Sequence, residues 1–170
     1  MTTIYKTADL DAGIRKQLGE LVEKEFGHIP IVKETEWATP SYTIIYFSGN
    51  EIGSFYNIVE RDVRIDDQLY KTAGINNVIT PPSYRGKGFS SLLLRETMEF
   101  IFDELKKDIG LLLCADNLVP FYEKLNWYKV DCPVYFKQKE ESRQWIANTM
   151  LLTPDKKLQP SGIDLNGLPW

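Results

Sequence analysis

Apolar side chains at Ile14, Leu18, Leu21, Val22 and Phe26 recur every three or four positions, the spacing that lines one face of a helix. The pattern predicts a helix over residues 12–26, with Asp9 or Asp11 as N-cap and Gly27 as its stop. Residues 28–41 hold Pro30 and Pro40 and read as loop, with a short helix around residues 33–37. The texture then becomes β-branched and aromatic. Strands are predicted over 42–47 and 52–61, joined by a turn at 48–51 into a hairpin. Residues 63–65 prolong the second strand, Asp66 and Asp67 turn the chain, and residues 69–80 return as a long strand.

Beyond Pro81 and Pro82 the period lengthens again. Leu94, Met98, Ile101 and Leu105 mark a helix over 89–107. A continuous apolar run at 109–115 reads as a buried strand, and 119–125 as a further helix. Residues 128–136 and 143–152 are two more strand candidates. Residues 153–170 carry Pro154, Pro160, Gly162, Gly167 and Pro169 and read as an extended tail. Helix, antiparallel strands, helix, strand, helix and strands, in that order, predict an α+β fold with one βαβ crossover near its centre. No repeat or linker interrupts the chain, so residues 1–170 are expected to form one domain.

Composition changes this picture only by exclusion. A chain of 170 residues with 43% hydrophobic and 26% charged positions can bury roughly 70% of its unfolded surface without metal or disulfide. Its net charge of −4 opposes nucleic-acid binding, which needs a basic face. Cys114 and Cys132 lie in apolar stretches without zinc spacing and read as reduced thiols, and no metal site is expected. The one histidine, His28, sits in a loop, which disfavours a Ser/His/Asp triad. No secretory signal or membrane-length apolar run is visible, so a cytoplasmic protein without membrane contact is expected.

The segment from Val78 to Ser91 carries the chemistry. A strand ends at Val78, Ile79 and Thr80, a proline pair stops it, and Arg85, Gly86, Lys87 and Gly88 lead through Phe89 and Ser90 into a helix. Such a turn offers free backbone N–H groups and a helix N-terminus to a phosphate or pyrophosphate. Gly86 and Gly88 permit positive φ and close approach of a ligand, and Arg85 and Lys87 add charge. The spacing matches neither a Walker A loop nor a dinucleotide fingerprint. An ordinary strand–helix turn with no ligand stays open for this segment taken alone.

A second segment follows the next strand: Asn117-Leu-Val-Pro-Phe-Tyr-Glu-Lys-Leu-Asn-Trp127. With Val78-Ile-Thr80 and Arg85-Gly-Lys-Gly88-Phe-Ser90, it resembles the GNAT superfamily of acyl-CoA-dependent N-acetyltransferases. Ser90 and Asn126 stand where Gly or Ala, and Gly, are usual. One helix and one strand separate the two motifs, as in that family. Within it the chain looks most like the aminoglycoside 2′-N-acetyltransferase group, through residues 7–11, Glu36-Trp37 and Trp170 after Gly167. Two positions depart from that group. Asn76 replaces an acidic residue on the strand before the loop, and Asp164 lies on the other side of Gly167.

The resemblance implies the GNAT fold, a mixed, mostly antiparallel twisted sheet with flanking helices, and acetyl-CoA as acyl donor. The backbone of Val78, Ile79 and Thr80 would pair with the pantetheine arm, and residues 85–90 with Asn117 would hold the cofactor. Tyr122 would protonate the leaving thiolate as a neutral general acid. Without the family context, Tyr122 reads as a half-buried aromatic packed with Phe121 and Leu125. Asn76, Asp164 and Trp170 are the implied acceptor-side residues, and Trp37, Tyr56 and Trp127 are further candidates to line that pocket. The general base stays open among Glu60, Asp116, the Trp170 carboxylate and a water chain. The expected partners are CoA and a small-molecule primary amine, an aminoglycoside being the first class; self-association as a homodimer is left open. Two alternatives remain: an acyltransferase for amino-acid or peptide amines, and a non-catalytic acyl-CoA-binding regulator.

Overall fold

The computed structural model describes residues 1–139 and 141–170. Helix α1 spans Ala12–Phe26. It starts where the Asp11 carboxylate accepts from the Ile14 N–H at 2.9 Å, which satisfies one otherwise free first-turn donor. Helix α2 is Pro30–Glu34, slightly upstream of residues 33–37, because Pro30 is preset for the first helical position.

Among the described residues ten strands form one sheet. Strand β1 (Thr2–Lys6) pairs antiparallel with β2 (Tyr42–Ser48); its short, mostly polar sequence gave no strand pattern. Strand β3 (Glu51–Ile65) is the spine. One edge pairs along its length with β4 (Gln68–Ile79), while the other is shared between β2 and β10 (Ile163–Asp164). Strand β5 (Ile109–Cys114) runs parallel to β4, and α3 (Phe89–Glu96) belongs to the crossover between them. The helical stretch expected over 89–107 is broken. The Thr97 hydroxyl turns back onto the Leu93 carbonyl at 2.8 Å and meets the Tyr56 hydroxyl, and a π-helical turn follows at Phe100–Glu104.

Helix α4 is Val119–Glu123. Residues 128–136 form two strands, β6 (Tyr128–Val130) and β7 (Val134–Gln138), because Pro133 offers no N–H to a continuous ladder. Residues 143–152 likewise divide into β8 (Glu141–Gln144) and β9 (Asn148–Leu152). Strand β9 pairs antiparallel with both β5 and β6. The predicted α+β fold with a central βαβ crossover in a mixed, mostly antiparallel sheet is the fold observed.

Buried side chains pack on both faces of the sheet. One cluster joins Ile58, Ile75 and Leu112 to Leu93 and Leu94 of α3 and to Tyr122 and Trp127. A second joins Val59, Val63 and Leu111 to Ile163, Leu165 and Trp170, and a third joins Ile45, Phe55 and Ile79 to Leu18 of α1. The alternation Ile58/Val59 and Leu111/Leu112 is the period of two that a sheet covered on both sides requires. Residues 153–170 therefore fold back over the sheet: Leu165 and Trp170 are buried, and Arg61 donates to the Leu165 and Leu168 carbonyls at 3.2 and 2.6 Å. Among the described residues no helix is long and apolar enough to cross a membrane.

Candidate functional site

The site begins where two parallel strands separate. Pairing between β4 and β5 stops at Ile75 and Leu112, although β4 continues to Ile79 and β5 to Cys114. The register between β3 and β4 also shifts, with Phe55 opposite Ile79 but Asn57 opposite Asn76. That places one extra residue in β4, and Asn77 takes a left-handed φ of 52° to absorb it. From Asn76 onward the β4 edge that faced β5 carries no strand partner, so its backbone groups are free to pair with something else. The Ser54 hydroxyl holds the end of the strand, donating to the Ile79 carbonyl at 3.1 Å and accepting from Thr80 at 3.0 Å.

A cleft of about 210 Å³ opens on the α3–α4 side. Its walls include Val78 and Ile79 from β4, Thr80 just beyond it, Arg85 from the following turn, Ser90 from α3 and Tyr122 from α4. Gly86 and Gly88 both adopt φ of 76°, and no atom lies within 4 Å of where a Cβ would stand on either. The turn is thus left-handed twice and open on its outer side, as backbone approach by a ligand needs. Phe89 faces inward, stacked near Tyr46 and Tyr84 and against Gly53; it anchors the turn. The Lys87 ammonium lies over the Tyr84 ring at 4.8 Å. Arg85 donates to the Thr80 carbonyl at 3.1 Å and pairs with Glu25 of α1 at 2.7 Å. Both partners are exposed, so this bridge is weak and exchangeable. Nothing in the sequence pattern of α1 marked Glu25 as a wall of this cleft.

Tyr122 is buried beside Leu125 and Trp127 and still lines the cleft. Burial, with a smaller contribution from Cys114, pushes its hydroxyl well above the ordinary phenol range, so it stays a neutral donor. Burial also raises the Cys114 thiol to about 11, helped by Asp116; this cysteine is no thiolate nucleophile near neutrality. Asn117 lies exposed in the turn before α4, outside the cleft lining.

A second cavity, of about 220 Å³, lies at the same strand separation. Asn76 and Asn77 of β4, Trp37, Trp145 and Trp170 are among its walls. Trp170 does two things at once. Its ring seals the core and lines the cavity, with its N–H on the Leu111 carbonyl at 3.2 Å. Gly74 makes this possible, since a Cβ there would stand 2.3 Å from the indole. Tyr56 and Trp127, offered by the sequence as pocket aromatics, are buried core residues that line neither cavity. Trp145 is the aromatic the sequence reading missed; in a presumed strand nothing distinguished it from a packing residue.

The acidic candidates sit elsewhere. Glu60 is paired with Lys107 at 2.6 Å, Asp116 accepts from Asn148 at 2.7 Å, and Asp164 accepts from the Asn166 N–H at 2.8 Å. None of the three lines either cavity. Among the described residues no cluster of three or more His, Cys, Asp or Glu could hold a metal ion.

With this geometry in hand, the chain was compared with known proteins. Residues 19–130 match the family described as the acetyltransferase (GNAT) domain. No curated protein matches the chain. Among solved structures, ElaA of Escherichia coli superposes with a TM-score of 0.61 at 15% identity, over 89% of this chain and 97% of its own. An acyl-CoA N-acyltransferase from Pseudomonas aeruginosa gives 0.61 at 10% identity over the same shares. A GNAT family acetyltransferase from Brucella melitensis, solved with acetyl-CoA, gives 0.59 at 12% identity, over 96% of this chain and 94% of its own. At these identities the likeness is one of fold.

Proposed function

The chain belongs to the GNAT acetyltransferase family, and from that premise we propose that it moves the acetyl group of acetyl-CoA directly onto a primary amine. The observation that carries this reading is the parting of β4 and β5, which leaves the free backbone edge, the open glycine turn and the Tyr122 hydroxyl around one cleft. The N–H groups of the turn through Arg85, Gly86, Lys87, Gly88, Phe89 and Ser90 would hold the pyrophosphate at the N-terminus of α3. Val78, Ile79 and Thr80 would pair with the pantetheine arm as an added strand. A backbone N–H of the bulged segment would stabilise the oxyanion as the tetrahedral adduct forms.

The amine lone pair attacks the thioester carbonyl, so a C–N bond forms and the C–S bond breaks. The attacking nitrogen loses a proton to water, and Tyr122 gives its own to the departing sulfur, recovering one from solvent. Burial keeps Tyr122 protonated through the neutral range, so its proton is present when thiolate develops. With Glu60 and Asp116 engaged elsewhere, the Trp170 carboxylate and a water relay remain as the base.

The acceptor would enter through the cavity bounded by Asn76 and Trp170. An aminoglycoside is the acceptor class the sequence leaned toward, and the net charge of −4 favours a cationic partner in a general way. Among the described residues no Asp or Glu side chain lines that cavity to receive one. The test is release of free thiol from acetyl-CoA across a panel of amines, alongside the CoA-induced rise in melting temperature. Release with any amine supports the transferase. A CoA-induced shift with no release would instead make the protein a regulator that binds the cofactor.

A further inference from the structure

Two buried polar atoms have no partner in this structure, the Asn76 Oδ1 and the Trp145 indole N–H. Both residues line the cavity of about 220 Å³. Buried polar atoms are nearly always satisfied, and here one acceptor and one donor stand in the walls of the same small space. None of the described side chains lining it carries a charge; Phe26, Trp37, Leu113 and Trp170 supply apolar surface.

From these walls we propose that the cavity takes the acceptor as an uncharged monoamine on a flat, apolar skeleton bearing one hydrogen-bond acceptor, rather than as a polycation. This rests on the acetyl-transfer reading above and names the substrate class for it. An ammonium would leave water for a cavity with no charged side chain in its walls, which is costly. The Trp170 ring does not offset this by cation–π attraction, because the Arg61 guanidinium already lies 5.5 Å from its centre and repels a second cation. A neutral amine meets no such cost and donates an N–H to Asn76 Oδ1. Asn76 is the first β4 residue past the last pair with β5, so an amine held there sits at the opening toward the thioester. A hydroxyl, ether or carbonyl oxygen elsewhere on the molecule would accept from Trp145. The volume lies below the ~300 Å³ at which pockets for drug-sized ligands begin, which suits one ring with a short arm and not several sugars.

The probes are 4-methoxybenzylamine, benzylamine and kanamycin, titrated calorimetrically into the protein–CoA complex at pH 7 and pH 9, with thiol release from acetyl-CoA measured in parallel. 4-Methoxybenzylamine should bind better than benzylamine, by roughly tenfold for a buried donor that gains its partner. Trp145→Phe should remove that advantage, so that the two benzylamines bind alike. Affinity should rise by more than about tenfold from pH 7 to pH 9 as the amine deprotonates. Asn76→Asp should flatten this pH dependence by admitting the ammonium. Kanamycin binding more tightly than both benzylamines, or no pH dependence, would overturn the inference while leaving acetyl transfer intact. The expected binding without any thiol release would uphold the cavity's selectivity and sink the transferase reading instead.

Discussion

The two cavities at the parting of β4 and β5 are of similar size, yet they are built from different material. The cleft beside Tyr122, the proposed donor site, owes its shape largely to backbone: two left-handed glycines, a bulged strand with an unpaired edge, and a helix N-terminus. The second cavity is made of side chains from distant segments, Phe26 of α1, Trp37 after α2, Trp145 between β8 and β9, and Trp170 of the tail. A cofactor shared by a whole family can be held by backbone geometry, which tolerates changes such as Ser90 and Asn126. A particular acceptor must be recognised by side chains, and these are free to differ from one family member to the next.

The largest separation between the two sides is expected from Gly88→Val. At φ of 76° a β-branched residue is strained, and the turn should lose the conformation that presents its N–H groups. Wild-type protein at a hundredfold excess of CoA over Kd gains about 2.7 kcal/mol. The variant should show no CoA-induced rise in melting temperature, with its cofactor-free transition still cooperative. A full CoA shift in folded Gly88→Val would remove the turn from the binding site.

Tyr122→Phe acts at the seam. Losing a general acid should lower kcat by roughly 10²-fold, with CoA affinity nearly unchanged because the turn is untouched. Burial raises the hydroxyl pKa, so the sign of its pH effect is set. The donor is kept as pH climbs and lost only above the ordinary phenol value near ~10. In a pH–rate profile of kcat, an alkaline limb assigned to Tyr122 that fell well below that value would contradict the assignment, as would an unchanged kcat in the variant under single-turnover conditions.

The smallest effect is expected on the acceptor side, from Gly74→Ala. The new Cβ would stand 2.3 Å from the Trp170 indole, so the ring must shift. Overpacking of this kind costs about 1–3 kcal/mol, and each kcal/mol lowers Tm by roughly 2–4 °C at this chain length. KM for the amine should rise a few-fold while KM for acetyl-CoA holds. Equal changes in both constants would mean that Trp170 serves the core and not the cavity.

The sequence by itself determined the elements with strong local rules. The Asp11 cap and apolar stripe of α1, the hairpin of β2 and β3, the long return of β4 and the Gly86/Gly88 turn all depend on neighbours within a few residues. Their period and turn chemistry were therefore legible. Local pattern also carried the cofactor motif, because a backbone site is encoded by contiguous residues. Only the tertiary structure decided the rest. Strand β1 exists because β2 offers it an edge, and Thr97 interrupts its helix where its hydroxyl meets Leu93 and the distant Tyr56. Trp145 and Trp170 become walls of one cavity although both are plain aromatics in the sequence, and Tyr56 and Trp127 become core although they are no different in kind. Which aromatic faces a cavity depends on how segments a hundred residues apart are brought together, and no periodicity along the chain records that.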